Sequence, residues 1–222
     1  MAKRKFIEKR KRERTAELGA AIEPREYRAT LEALLAELKV RFETHWSEDE
    51  HDNYYGFKLS YDPASDRTWY VIKNPFGGAD LELAIENSFD LMFGGACWSF
   101  HPTESEYCRF CATIKAIVEG SGATVRICVG DATKACAVLV GDELCADNEI
   151  ALMDRIAEKD WYKTNRDIDY FVDANKVEQL KKELRRLHSR NACHAEFEYF
   201  NPANNKRLIF GKIPMQTRLG DE

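Results

Sequence analysis

Apolar and polar residues alternate most cleanly between Leu81 and Val140. Leu81, Leu83 and Ile85 interleave with Glu82, Ala84 and Glu86, a period of two that predicts a half-buried strand. Asn87 and Ser88 supply turn chemistry, and Phe89, Leu91 and Phe93 resume the alternation. Gly94 and Gly95 interrupt this pattern before it continues to Phe100. Paired glycines inside a strand pattern predict a bulge or a sharp bend, because glycine takes a positive φ at little cost. Thr103 with Glu106 reads as a capping box. Behind it Tyr107, Phe110, Cys111, Ile114, Ile117 and Val118 recur at helical spacing as one apolar stripe. Gly120, Ser121 and Gly122 end that helix. Val125, Ile127 and Val129 predict the next strand, and Ala135, Ala137 and Leu139 predict its partner beyond a turn at Asp131, Ala132 and Thr133.

On either side the pattern is sparser. Pro24 suits the first turn of a helix whose buried face is Tyr27, Leu31, Leu34, Leu35, Leu38 and Phe42, ending near Trp46. Phe57, Leu59 and Tyr61 predict a strand, Asp62 and Pro63 a turn, and Trp69 and Val71 a return strand. Ile150, Met153, Ile156 and Ala157 predict a helix to about Asp160. Val177, Leu180, Leu184 and Leu187 predict a last helix. Cys193, Ala195, Phe197 and Tyr199 then alternate with His194, Glu196 and Glu198, and Leu208 to Phe210 return from an Asn201–Pro202 turn. Hairpins broken by single helices predict an α+β fold: mostly antiparallel sheets with helices packed on one face. The order is compatible with repeated αββ units. Asp62-Pro63-Ala64 and Asn201-Pro202-Ala203 take the same place in two of them. We divide the chain into a basic arm over 1–20, an α+β domain over 21–146, and C-terminal helices with a hairpin over 147–222 that pack on or extend that domain.

Charge sharpens this division. Lys3, Arg4, Lys5, Lys9, Arg10, Lys11, Arg12 and Arg14 against Glu8 and Glu13 give residues 1–15 a charge of +6. The whole chain carries −5, so residues 16–222 carry −11. No apolar run approaches the ~20 residues that span a bilayer, and the basic N-terminus lacks the apolar core of a signal peptide. Seven cysteines in no secreted framework predict reduced thiols and a cytoplasmic protein.

The candidate chemistry is thin. Cys108 and Cys111 form a Cys-x-x-Cys, but the pair lies inside the predicted helix with Cys111 on its buried stripe, so both read as structural. His188, Cys193 and His194 are near in sequence, yet alternation sends Cys193 and His194 to opposite faces of their strand. His45 and His51 flank Glu48, Asp49 and Glu50 in what reads as a solvated loop. His101, before the helix cap, has no partner carboxylate or nucleophile signalled nearby. The doubled glycines at 77–78 and 94–95 match neither phosphate-binding pattern, and no hydrolase or metalloprotease motif occurs. The sequence therefore names no catalytic residue, no metal and no cofactor, and leads us to expect no stoichiometric zinc.

The run from Phe89 through Phe93, Gly94 and Gly95 to Phe100, followed by a capped helix and two strands, resembles a group of small uncharacterised bacterial domains. Some of those resemble immunity proteins encoded beside polymorphic toxins. Phe93, Gly94 and Phe100 match; Cys97 and Ser99 stand where those domains carry two alternating histidines, so any role of the histidines is absent here. The resemblance covers about residues 76–145 and implies a cytosolic bacterial α+β protein without catalytic residues. Three expectations follow. The first is a non-enzymatic protein-binding module, of inhibitor or immunity type, that offers Glu196, Glu198, Asp142 and Glu143 to a basic partner. The second is a nucleic-acid-associated protein using the arm from Lys3 to Arg14. The third is an enzyme with an unrecognised pocket.

Overall fold

The computed structural model describes residues 20–46, 68–160 and 174–210. Pro24 opens a short 3-10 turn, Pro24–Tyr27, that leads into helix α1, Arg28–Glu37. Leu31 and Leu35 point one helical turn apart into the core. The helix stops well before Trp46, which corrects the longer helix expected from the apolar spacing. Lys39 takes a left-handed φ of 55°, and Val40 N donates back to the Leu35 carbonyl at 3.3 Å, the hydrogen bond that closes a helix C-terminus. Phe42–Trp46 is instead strand β1, and Phe42 packs its ring 6.0 Å from that of Tyr70 on the neighbouring strand.

The first sheet is a meander in sequence order. It contains β1, β2 (Thr68–Ile72), β3 (Leu81–Ile85), β4 (Phe89–Phe93) and β5 (Ala96–Phe100), every neighbouring pair antiparallel. Gly94 and Gly95 are the two central residues of a β4–β5 hairpin, not a bulge within one long strand. Phe93 pairs with Ala96 across them, and both glycines have positive φ, 54° and 79°. That is the bend expected at these residues, tight enough to reverse the chain.

Helix α2, Glu104–Val118, begins at Thr103, whose hydroxyl accepts from Glu106 N at 3.4 Å. Only this half of the capping box forms, because the Glu106 carboxylate turns to Arg109. The α2 stripe packs on the first sheet. Tyr107 and Phe110 meet Phe89 at 5.0 and 5.5 Å between ring centroids, and Ile114 and Ile117 are fully buried behind them.

The second sheet runs β7-β6-β8-β9, from β6 (Gly122–Val129), β7 (Ala132–Val140), β8 (His194–Tyr199) and β9 (Lys206–Ile209). The C-terminal segment thus joins a sheet begun before residue 146, with β8 pairing directly to β6. Helices α3 (Glu149–Lys159) and α4 (Ala174–Ser189) cover one face, burying Leu152, Met153, Ile156, Leu180 and Leu184 against Val125, Ile127, Ala195 and Phe197. Two ion pairs, Glu158 to Lys181 and Asp154 to Arg185, and a contact of Glu149 with the His188 ring join the two helices along their outer edge. The fold is α+β, each sheet carrying its helices on one face. A helix followed by two antiparallel strands recurs as α1-β1-β2, α2-β6-β7 and α4-β8-β9. Each of those helices is followed by a left-handed residue, Lys39, Gly120 or Asn191. The predicted strand over Phe57–Tyr61 and its Asp62–Pro63 turn lie outside the described residues, as does the basic arm through Gly19.

The opposite face of the second sheet meets the first body. Val138 belongs to the same buried cluster as α2 and the first sheet, and so does Phe200, just beyond β8. The β4–β5 turn lies on this face. Thr124 Oγ1 donates to the Phe93 carbonyl and Arg126 Nη1 to the Gly94 carbonyl, each at 2.7 Å. Trp98 is half-buried at the margin of the first core with the Lys159 ammonium 5.3 Å from its ring centre.

Candidate functional site

Strand alternation decides which side chains this second face carries. On β6, Val125 and Ile127 enter the core, so Thr124, Arg126 and Cys128 point the other way. On β8, Ala195 and Phe197 are inward and His194, Glu196 and Glu198 outward, the assignment their spacing predicts. Register then sets them in rows. Thr124 stands opposite Glu198, Arg126 opposite Glu196, and Cys128 opposite His194, with Arg207 and Ile209 of β9 completing the last two rows.

The carboxylates proposed from sequence as an open acidic surface are largely engaged within the molecule. Arg126 lies between them, 2.8 Å from Glu198 Oε2 and 3.8 Å from Glu196 Oε2. The Glu198 carboxylate also sits beside Gly94, where an added Cβ would come within 2.8 Å of it. His194 Nε2 approaches Glu196 Oε1 at 3.2 Å. This hydrogen bond, helped by Arg126 and Arg207, holds the Glu196 carboxyl below the usual carboxylate range against the opposing effect of burial. Of the other two residues, Glu143 accepts the Val140 N–H at 3.0 Å and pairs with Lys159, tying the end of β7 to α3. The Asp142 side chain is exposed, and its carbonyl accepts from Arg155. The eight basic residues of the arm lie outside the described residues.

The remaining candidates separate. Cys108 is exposed on α2 and Cys111 is half-buried against the first core. Cys193 lies in the second core, away from His194. His188 is held by Glu149 at 2.6 Å, with its ring tilted against that of Phe210. His45 falls in β1, and residues 47–53 lie outside the described residues. The His101 carbonyl accepts the Thr103 N–H ahead of α2.

One grouping escaped the sequence reading. Cys128, His194 and Glu196 bring a sulfur, a ring nitrogen and a carboxylate oxygen within 4.8 Å of one another, the one such grouping of metal-ligating side chains among the described residues. Cys128 Sγ is 3.8 Å from Glu196 Oε2 and 3.9 Å from Thr133 Oγ1. Its thiol is pushed up chiefly by burial. A signal existed in the chain: Cys128 alternates with Arg126 on the polar side of a strand whose other side is core.

Burial likewise raises the thiols of the half-buried Cys136, to about 12, and the buried Cys193, to about 11, so they stay protonated at neutral pH. Alkylation of the native protein is expected to modify the exposed Cys108 and Cys145 first, and Cys193 only on unfolding. Peptide mass spectrometry would read the order, and early labelling of Cys193 would contradict its place in the second core.

No helix among the described residues is long and apolar enough to cross a membrane. Comparison of the chain with protein-family models, curated proteins and solved structures finds no match to any of them.

Proposed function

We propose that this chain is a non-enzymatic protein-binding module whose acidic body recruits a basic partner, in the manner of an inhibitor or immunity-type protein. The observation that carries the reading is the charge division, +6 over residues 1–15 and −11 over the rest. A body of that sign repels phosphate backbones and steers a positively charged protein toward it. The polar chemistry of the described residues supports the non-enzymatic half. Glu143, Glu149, Asp154, Glu196 and Glu198 each face a basic side chain of the same molecule. The thiols of the half-buried Cys136 and the buried Cys193 are held away from the thiolate form that nucleophilic chemistry requires.

The internal pairing moves the proposed contact surface. Asp142 and Asp147, exposed in the link between β7 and α3, are better candidates than Glu196 and Glu198. Reversing Glu198 to lysine would set a cation against Arg126 and disturb the fold as well as the surface. The test compares the full chain with a chain lacking residues 1–15, in capture of protein partners from the native host and in binding to a labelled DNA duplex. Partner capture is expected to survive the deletion, to weaken with salt, and to fall when Asp142 and Asp147 are changed to lysine. If deletion abolishes all capture and the captured material is nucleic acid, the arm is the functional element and the reading fails.

A further inference from the structure

We propose that Cys128, His194 and Glu196 form a site for a divalent metal ion of the zinc class, with one coordination position left to solvent. The scaffold is rigid. Cys128 and His194 are directly opposed on adjacent antiparallel strands, and Glu196 is two residues beyond His194 on the same face. Both Cys128 and His194 are more than nine-tenths buried, at 3% and 7% exposure. They therefore present donors from the protein interior rather than from a solvated surface.

The donor types fit, and the donors lie near one another. Zinc takes thiolate, imidazole and carboxylate ligands at about 2.0–2.3 Å, and tetrahedral angles at those lengths set donors roughly 3.4–3.6 Å apart. Here Nε2 of His194 is 3.2 Å from Oε1 of Glu196, Sγ of Cys128 is 3.8 Å from Oε2 of the same carboxylate, and one donor atom from each residue lies within 4.8 Å of the other two. The carboxylate thus meets the ring and the thiol through different oxygens, and binding one ion requires the three donors to draw in from this spacing. A mixed sulfur, nitrogen and oxygen set selects a borderline ion such as Zn²⁺ over Mg²⁺ or Ca²⁺, which prefer oxygen alone.

The charges also balance. On binding, the Cys128 thiol releases its proton to solvent and a metal–sulfur bond forms, with no change of oxidation state. One thiolate and one carboxylate then match the two positive charges of the ion. Arg126, which would otherwise oppose a cation, is neutralised by Glu198 at 2.8 Å. Arg207 reaches Glu196 only at 4.0 Å from a largely exposed position and can swing into solvent. The alternative is a hydrogen-bonded polar cluster that needs no ion. This inference stands apart from the protein-binding reading and revises the expectation, drawn from the sequence, that no zinc is bound.

The test is titration of the chelator-treated full chain with Co²⁺, whose thiolate charge-transfer band in the near ultraviolet reports a cysteine ligand. The expected result is a band that saturates at one equivalent and is abolished by Zn²⁺. It should persist when Cys108, Cys111 and Cys145 are all changed to serine. Cys128→Ser should eliminate it, and His194→Gln or Glu196→Gln should weaken Co²⁺ binding by more than about tenfold. Circular dichroism of each variant checks that it folds. If Cys128→Ser does not fold, the half-exposed Glu196→Gln carries the assignment. Absence of a band in the parent protein would overturn the site, as would a band lost in the triple serine variant or unmoved by Glu196→Gln.

Discussion

Replacing Phe110 with alanine is expected to destabilise the protein by about 3–5 kcal/mol, the usual cost of deleting a buried aromatic ring. Phe110 is fully buried on α2 and touches rings on two strands, Phe89 and Phe100, each with centroids 5.5 Å away. Two contributions add: lost transfer of the ring from water, and a cavity that its neighbours cannot close. Phe89 is itself packed against Tyr27 and Tyr107, which leaves little room for collapse. Chemical denaturation of parent and variant would measure the cost. A shift below about 1 kcal/mol would mean that α2 does not pack on the first sheet through this stripe.

The second large effect is expected at the β4–β5 turn. Gly94→Ala should cost roughly 2–4 kcal/mol, combining left-handed backbone strain with a steric conflict. At φ 54° an added Cβ would lie 2.8 Å from Glu198 Oε2 and 3.1 Å from Thr124 Cβ. A shift of the Glu198 carboxylate to make room would disturb its pairing with Arg126, which also holds the Gly94 carbonyl. Gly95 supplies the control. Its φ is also positive, 79°, but an added Cβ would meet only Arg126 Nη1, at 4.0 Å. Gly95→Ala is therefore expected to carry the backbone strain alone. Equal losses at the two positions would show that the turn does not rest on the second sheet.

The same turn shows where sequence reasoning stopped. Alternation revealed most strands and the stripes of α2, α3 and α4, because each is a local pattern that burial on one side imposes. The glycine pair announced a bend, but only cross-strand pairing of Phe93 with Ala96 makes it a hairpin end. β1 was hidden because Phe42 follows Leu38 by four residues and so continues a helical stripe. What ends the helix is a left-handed lysine, a conformation that residue type does not advertise. The outward face of β8 was readable from its own alternation. Its partners were not. Arg126 and Cys128 reach Glu196, Glu198 and His194 through the pairing of β6 with β8, and that register is a non-local fact. For the same reason Glu196 and Glu198 read as open acid when the fold gives them Arg126. Cys193 looked like the thiol nearest His194, although Cys128, on another strand, is the one that shares its face.

The division between acidic body and basic arm is tested most directly by titrating a labelled DNA duplex, over a range of salt, with the full chain and with the chain lacking residues 1–15. The account predicts that any duplex binding by the full chain falls with salt at about 0.9 ions per phosphate contacted, and that the shortened chain does not bind even at low salt. Tight, salt-sensitive duplex binding by the shortened chain would contradict it, because a body carrying −11 would then be holding a polyanion.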